Sequence, residues 1–311
     1  MSDPSSLFQP AYLPQSVDLP KSEDSTRGSL SELWFFFAQN RGAVFGMALI
    51  IVFVLIALLA PMLAPYSPST VFAGVLRKPP AFVTGGTREF WLGTDDIGRD
   101  LLSRLMYGAR VSLGIGFLIV TLSATIGTML GLFAGYFGGL LDAFIMRVVD
   151  LLMALPSVLL AIVVVSVLGP SLANTIIAVA IVQIPSFTRL VRATTQAEKL
   201  KPYVTASKTF GASAVRQMFI NILPNCMAPL IVQTTLGFSD GILDAAALGF
   251  LGLGAQAPTP EWGTMLADAR PFIESSPWLV WLPGLGILLT VLGFNLLGDG
   301  LRDALDPRLR R

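Results

Sequence analysis

An all-α membrane fold with six spanning helices is what this sequence predicts, and three observations carry it. Only 13% of the 311 residues are charged while 53% are hydrophobic, with a mean hydropathy of +0.70. A soluble domain carries about 25% charged residues, so half that density cannot cover a water-facing surface of this size. The chain also contains long uncharged runs. A spanning helix needs about 20 apolar residues to cross about 30 Å of hydrocarbon, and Val111 to Leu141 and Leu151 to Thr188 both exceed that. Finally, the basic residues are asymmetric. With both termini cytoplasmic, as an even number of spans allows, 14 of the 21 Lys and Arg residues lie inside, in accord with the positive-inside rule.

The elements follow in order. Residues 1–28 are polar, Ser/Pro-rich and of mixed charge, which predicts a disordered cytoplasmic tail rather than a signal peptide. Ser29-Leu30-Ser31-Glu32 fits a capping box and is followed by Trp34-Phe35-Phe36-Phe37. This predicts either an interfacial helix or an early start of span one. The first span is densest from Ala43 to Ala60 and is ended by Pro61, so residues 29–65 hold the interfacial helix and span one. Residues 66–110 form a periplasmic segment. Span two follows in Val111 to Leu141. The run from Leu151 to Thr188 is too long for one helix, and Gly169-Pro170-Ser171 at its middle predicts a hairpin of spans three and four. Span five starts after Pro224 and runs toward Ala247, and span six lies within Ser275 to Gly298. Residues 111–301 are thus a five-helix core with a cytoplasmic loop at 189–224, and 302–311 a cytoplasmic tail.

Composition excludes much chemistry. The chain has no histidine, which removes Ser-His-Asp and Cys-His catalysis and His-ligated zinc. A single cysteine, Cys226, removes intrachain disulfides and cysteine-rich metal sites. No Gly-Lys dipeptide occurs, so there is no phosphate-binding P-loop. A net charge of +1 offers no basic field for nucleic acid. No catalytic residue, metal site or bound cofactor is expected.

Two patterns inside the spans call for partners. Gly127, Gly131, Gly135 and Gly139 recur every four residues, a helix-packing face in lipid. Asp240 and Asp244 lie on one face of span five, which Gln233 shares. A charge at mid-bilayer costs about 2.5–3.5 kcal/mol. This face therefore lines a polar pathway, or the span ends early and the aspartates sit at the outer interface. Asp142, Arg147 and Asp150 read as an interfacial cluster. Asp100 and Arg104 are spaced to pair on a helix leading into span two.

The inner loop from Arg189 to Pro224 carries six basic residues and one acid, Glu198. Pro202 suits a helix N1 position and Gly211 a helix end, which predicts a short exposed helix between them. Gly211 and Leu223-Pro224 keep the spacing of the EAA motif of ABC-importer permeases, and this segment resembles it. Thr205-Ala206-Ser207 stands where that family has Glu-Ala-Ala, so only Ala206 matches. The segments Leu92-Gly93-Thr94-Asp95-Asp96-Ile97-Gly98-Arg99-Asp100, Ala246 to Gly254 with Pro258 to Gly263, and Gly298 to Pro307 also resemble the second permease subunit of dipeptide/oligopeptide importers, the DppC/OppC type, in its dipeptide branch.

The resemblance implies a type I ABC-importer permease fold in a bacterial inner membrane. It implies that Tyr203 to Ala212 is a coupling helix docking on a cytoplasmic ATPase. Tyr203, Thr205, Ala206, Ser207, Phe210, Gly211, Ala212, Leu223 and Pro224 would then be the coupling residues, with Tyr203 and Phe210 as anchors. It implies a homologous second permease (DppB-like), two ATP-binding subunits (DppD/DppF-like) that hold ATP and Mg, and a periplasmic solute-binding protein (DppA-like). The implied cargo is dipeptides or short peptides. Oligopeptides, nickel complexes and glutathione are alternatives within the class, and an ion-coupled secondary transporter using Asp240 and Asp244 is one outside it. The segment before span two reads as a structural brace or as a docking surface for the binding protein.

Overall fold

In the computed structural model, residues 29–305 are described, with side chains from residue 34 onward. The two tails and the side chains of the capping box at Ser29 to Glu32 lie outside the described residues. The described chain is helical without a strand, apart from two isolated bridges, Val71 with Arg99 and Thr94 with Asp100.

Helix α1 (Ser29–Gln39) is separate from α2 (Arg41–Leu63), and Asn40 between them caps α2 by accepting from the Ala43 N–H at 3.1 Å. Residues 64–100 run without regular structure over one end of the bundle, folded around the rings of Tyr66, Phe72 and Phe90. Helix α3 spans Leu101–Phe137. It begins ten residues before the predicted start of span two, because Asp100 accepts from the Ser103 N–H and hydroxyl at 2.8 and 2.6 Å and caps the helix there. At about 55 Å, α3 is longer than the hydrocarbon is thick.

The third predicted span is two helices, α4 (Gly139–Met153) and α5 (Ser157–Leu168), bent by 93°. Pro156 causes the break: it lacks an N–H and pushes Leu155 out of the helical region. The hairpin at Gly169-Pro170-Ser171 is present. Ser171 caps α6 (Leu172–Lys199) by accepting from the Asn174 N–H.

Helix α6 continues well past Thr188. Arg192 forks onto Asp142 and Arg189 pairs with Asp150 at 2.6 Å, both across to α4. These partners neutralise the charges that mark the end of the apolar run. Helix α7 (Pro202–Thr209) follows, then the three-residue α8 (Ala214–Arg216), a π-helical turn at Gln217–Ile222, a 3₁₀ turn at Leu223–Cys226, and α9 (Met227–Phe250). The fifth spanning element thus starts before Pro224, at Ala214, and bends its hydrogen-bond ladder around that proline. Helix α10 (Trp262–Ala269) lies between the fifth and sixth elements, and α11 (Trp278–Leu305) closes the chain. Among the described residues five elements are long and apolar enough to cross a membrane, and α4–α5 as one bent span makes six.

The helices meet where side chains are absent. A Cβ on Gly127 would lie 2.5 Å from the Cβ of Phe187, one on Gly131 2.7 Å from the Thr188 carbonyl oxygen, and one on Gly135 2.7 Å from the Cβ of Thr195. Three turns of α3 thus lie directly on the α6 backbone, the close approach that stabilises helix pairs in lipid. Gly139 departs from this stripe. A Cβ there meets nothing within 4 Å, and φ is +57°. Helix α3 has already ended at Phe137, so Gly139 opens α4 in a left-handed conformation instead of packing. Gly131→Leu is expected to destabilise the chain by about 1–3 kcal/mol through overpacking. Gly114→Ala, with open space around it, should change little. Thermal unfolding of the detergent-solubilised variants checks both.

Candidate functional site

Helix α7 is a short helix between two spanning elements, α6 and the one that begins at Ala214. Lys201 precedes it in extended conformation, Pro202 occupies its first turn, and Gly211 ends it at φ +83°. Val204 is buried and packs with Leu132, Val191, Ile222 and Cys226, which seats the helix on the bundle. Phe210 points away and is 90% exposed. Thr205 and Ala206 are also exposed, whereas Ser207 turns toward the bundle and its Oγ accepts from Asn221 Nδ2 at 2.8 Å.

Tyr203 faces two ways. Its ring is 42% exposed, but its hydroxyl donates inward to Glu198 Oε2 at 2.8 Å and accepts from Asn225 Nδ2 at 3.1 Å. Lys201 Nζ holds the other oxygen of Glu198 at 2.6 Å. The phenol is pushed up to about 12, first by burial and then by its hydrogen bond to Glu198, so it remains a donor at any physiological pH. Leu223 and Pro224 lie in the 3₁₀ turn beside this site, and Ala212 is in the turn after α7.

The polar residues of α9 are divided. Gln233 lines a cavity of about 570 Å³ with Leu190, Pro229, Val232, Leu236 and Arg302. That lining does not reach Asp240, which is exposed, or Asp244, which is half-buried. Neither carboxylate has an ion-pair partner among the described residues. Residues that the sequence did not single out lie deeper. Gln183 of α6 donates to the Gly237 carbonyl at 3.0 Å, and Ser123 of α3 donates to Gln183 at 3.4 Å, joining three helices in the buried core.

Comparison with known proteins matches this arrangement. Residues 127–311 match the family described as binding-protein-dependent transport system inner membrane component, and residues 29–80 match the N-terminal TM domain of oligopeptide transport permease C. The chain belongs to this family of inner-membrane transport permeases. It is 58% identical over 282 residues to the dipeptide transport system permease protein DppC of Escherichia coli K12, covering 91% of this chain and 94% of that protein. It is 57% identical over 281 residues to the di/tripeptide transport system permease protein DppC of Pseudomonas aeruginosa UCBPP-PA14, covering 90% and 93%. The fold is similar to a chain of the MetNI methionine ABC transporter in an inward-facing conformation. The TM-score is 0.52 at 17% identity, over 66% of this chain and 98% of that one. The type I ABC-importer permease fold is thereby shown.

At the end of the bundle opposite α7 a second charged site is buried. Arg99 Nε pairs with Asp95 Oδ2 at 2.6 Å and Arg104 Nε approaches the same oxygen at 3.3 Å. The predicted pairing of Asp100 with Arg104 is not made, because Asp100 spends its carboxylate on the α3 cap. Glu261 caps α10, accepting from the Gly263 and Thr264 N–H groups at 2.7 and 2.8 Å. Next to it, Trp262 is buried and donates from Nε1 to the Leu105 carbonyl at 3.2 Å, tying α10 to α3. Burial raises the Glu261 carboxyl above its ordinary value, and the cap hydrogen bonds oppose that rise. A raised native value means that the folded chain holds this proton more tightly than the unfolded chain. Stability should therefore fall as pH rises from about 4.5 through the native value. Glu261→Gln is expected to flatten that slope in thermal unfolding across pH.

Proposed function

We propose that this permease is one membrane half of an ATP-driven importer of dipeptides or short peptides, with both termini in the cytoplasm. The observation that carries the cargo is the 58% identity, along nearly the whole chain, to a protein named for dipeptide transport. The partners are a homologous second permease, two ATP-binding subunits that hold ATP and Mg, and a periplasmic solute-binding protein. This subunit hydrolyses nothing. The surrounding lipid meets the exposed apolar residues of the spanning helices, such as Leu58 and Phe144.

Physical features of α7 support its role as the coupling helix. It is short, rigid and seated by one buried residue, and it presents Phe210 as a solvent-exposed aromatic anchor of the kind that dominates interfaces. Thr205, Ala206, Gly211 and Ala212 complete the outer surface. Movement of the ATPases displaces α7 as a body, and the attached α6 and α9 tilt with it, so that the pathway opens alternately to either side. Gln233, Asp240 and Asp244 lie on a face of α9 that the second permease completes into a polar pathway.

Co-purification tests the assembly. Solubilised protein is expected to bring down a second permease and the ATP-binding subunits, and isolation as a transport-competent homo-oligomer would refute the reading. Uptake in proteoliposomes with the purified binding protein tests the cargo. ATP-dependent uptake of dipeptides is expected, and preference for longer peptides, nickel complexes or glutathione would reassign it. Phe210→Ala is expected to weaken ATPase association by about 2 kcal/mol, or roughly 30-fold. Gly211→Val should weaken it too, because a β-branched residue at positive φ adds about 1–3 kcal/mol of strain. Binding titrations on detergent-solubilised protein read both.

A further inference from the structure

The inward face of α7 carries a polar ladder. Tyr203 and Ser207 lie four residues apart on α7, and Asn225 and Asn221 lie four apart on the segment that enters α9. They pair in antiparallel order, Asn225 Nδ2 to Tyr203 Oη at 3.1 Å and Asn221 Nδ2 to Ser207 Oγ at 2.8 Å. Asn225 Nδ2 also donates to the Asn221 carbonyl at 2.8 Å, which links the two rungs. The upper rung continues through the Tyr203 hydroxyl to Glu198, a buried carboxylate on the last turn of α6. The chain of donors thus runs from α9's entry, through α7, to α6, and ends on an anion, where each hydrogen bond strengthens the next.

We infer that Glu198, Tyr203, Ser207, Asn221 and Asn225 are positioning residues that lock α7 to both of its flanking helices, so that a push on α7 is transmitted instead of absorbed. The inference rests on the reading of α7 as the coupling helix.

The argument is mechanical. Covalently, α7 hangs from two joints. One is the extended Lys201 before it, and the other is the Gly211 turn after it. Both allow the helix to swivel about its single apolar seat at Val204. The ladder adds two fixed points on α9's side and one on α6's side, which leaves no axis of free rotation. The segment that receives the load is also the one place where the fifth spanning element departs from α-helical hydrogen bonding, with the π turn at Gln217–Ile222 followed by the 3₁₀ turn at Leu223–Cys226. Asn221 sits in the π turn and Asn225 in the 3₁₀ turn. The ladder therefore clamps both irregular turns to α7, and such turns are positions at which helices change geometry at small cost.

The test uses the assembled importer in proteoliposomes with its binding protein. The double variant Tyr203→Phe/Ser207→Ala removes both rungs without touching Phe210. It is expected to retain the ATPase subunits and to keep ATP turnover within about twofold. Peptides imported per ATP should fall by about tenfold, as the loss of three hydrogen bonds of modest net strength implies. Ser207→Thr keeps the hydroxyl and should keep the wild-type ratio. An unchanged ratio in the double variant overturns the inference. So does loss of the ATPases from it, which would assign these side chains to docking. If the double variant does not reach the membrane, Tyr203→Phe alone should lower the ratio by about threefold, and an unchanged ratio there is equally fatal. Failure of the importer reading is seen separately, as a wild-type chain that brings down no ATPase.

Discussion

The contact between α3 and α6 sets the positions of everything else. Lipid offers helices no hydrophobic reason to associate, so packing distance decides. Gly127, Gly131 and Gly135 let the α6 backbone come within reach of the α3 backbone over three turns. Both ends of the molecule hang from that pair. At one end, α6 begins at the Ser171 cap, and Thr175 Oγ1 donates to the Leu253 carbonyl beyond α9. At the other, Lys199 reaches the Tyr136 carbonyl, and Arg192 reaches Asp142. Glu198, on which α7 is fixed, sits on the same last turn. A change in the α3–α6 distance would thus be felt at α7 and at the outer loop together.

Charge is scarce in this chain, and part of it is spent on joints. Arg99 and Arg104 share Asp95 where the outer segment enters α3, and Glu261 closes the start of α10. Asp142 and Asp150 hold α4 against the inner half of α6. Desolvation offsets much of the attraction in the buried Asp95 cluster, and the half-exposed Arg189–Asp150 pair adds little net stability. Asp240 and Asp244 take no part in such a joint: neither has an ion-pair partner among the described residues, with Asp240 exposed and Asp244 half-buried.

The spans were legible because the membrane imposes a simple rule, a long uncharged run, and Gly169-Pro170-Ser171 was readable as a turn from proline and glycine chemistry alone. Pro202 and Gly211 marked the limits of α7 for the same reason. Boundaries set by tertiary partners were not legible. Helix α6 overran Thr188 because Arg189 and Arg192 find carboxylates on α4, and α3 began early because Asp100 turned to its own helix instead of to Arg104. Gly139 fitted the four-residue spacing but fell past the helix end. Pro156 was in plain view within an apolar run, yet a bend of 93° follows from local backbone geometry, which hydropathy does not encode. Tyr203 stood out for its ring, and the inward hydrogen bonding of its hydroxyl was not legible. Its hydroxyl partner, Glu198, had stood out only as the lone acid in a basic loop.

Cys226 has a practical consequence. It is the sole thiol in the sequence, and it is 1% exposed at the last position of the 3₁₀ turn, where α7, α3, α6 and α9 converge. A cysteine introduced at an exposed position can therefore be labelled in this conformation with little background from Cys226. The natural one serves as a built-in shutter: a reagent small enough to enter can react with it only while those four elements stand apart, so its modification rate during turnover clocks the separation.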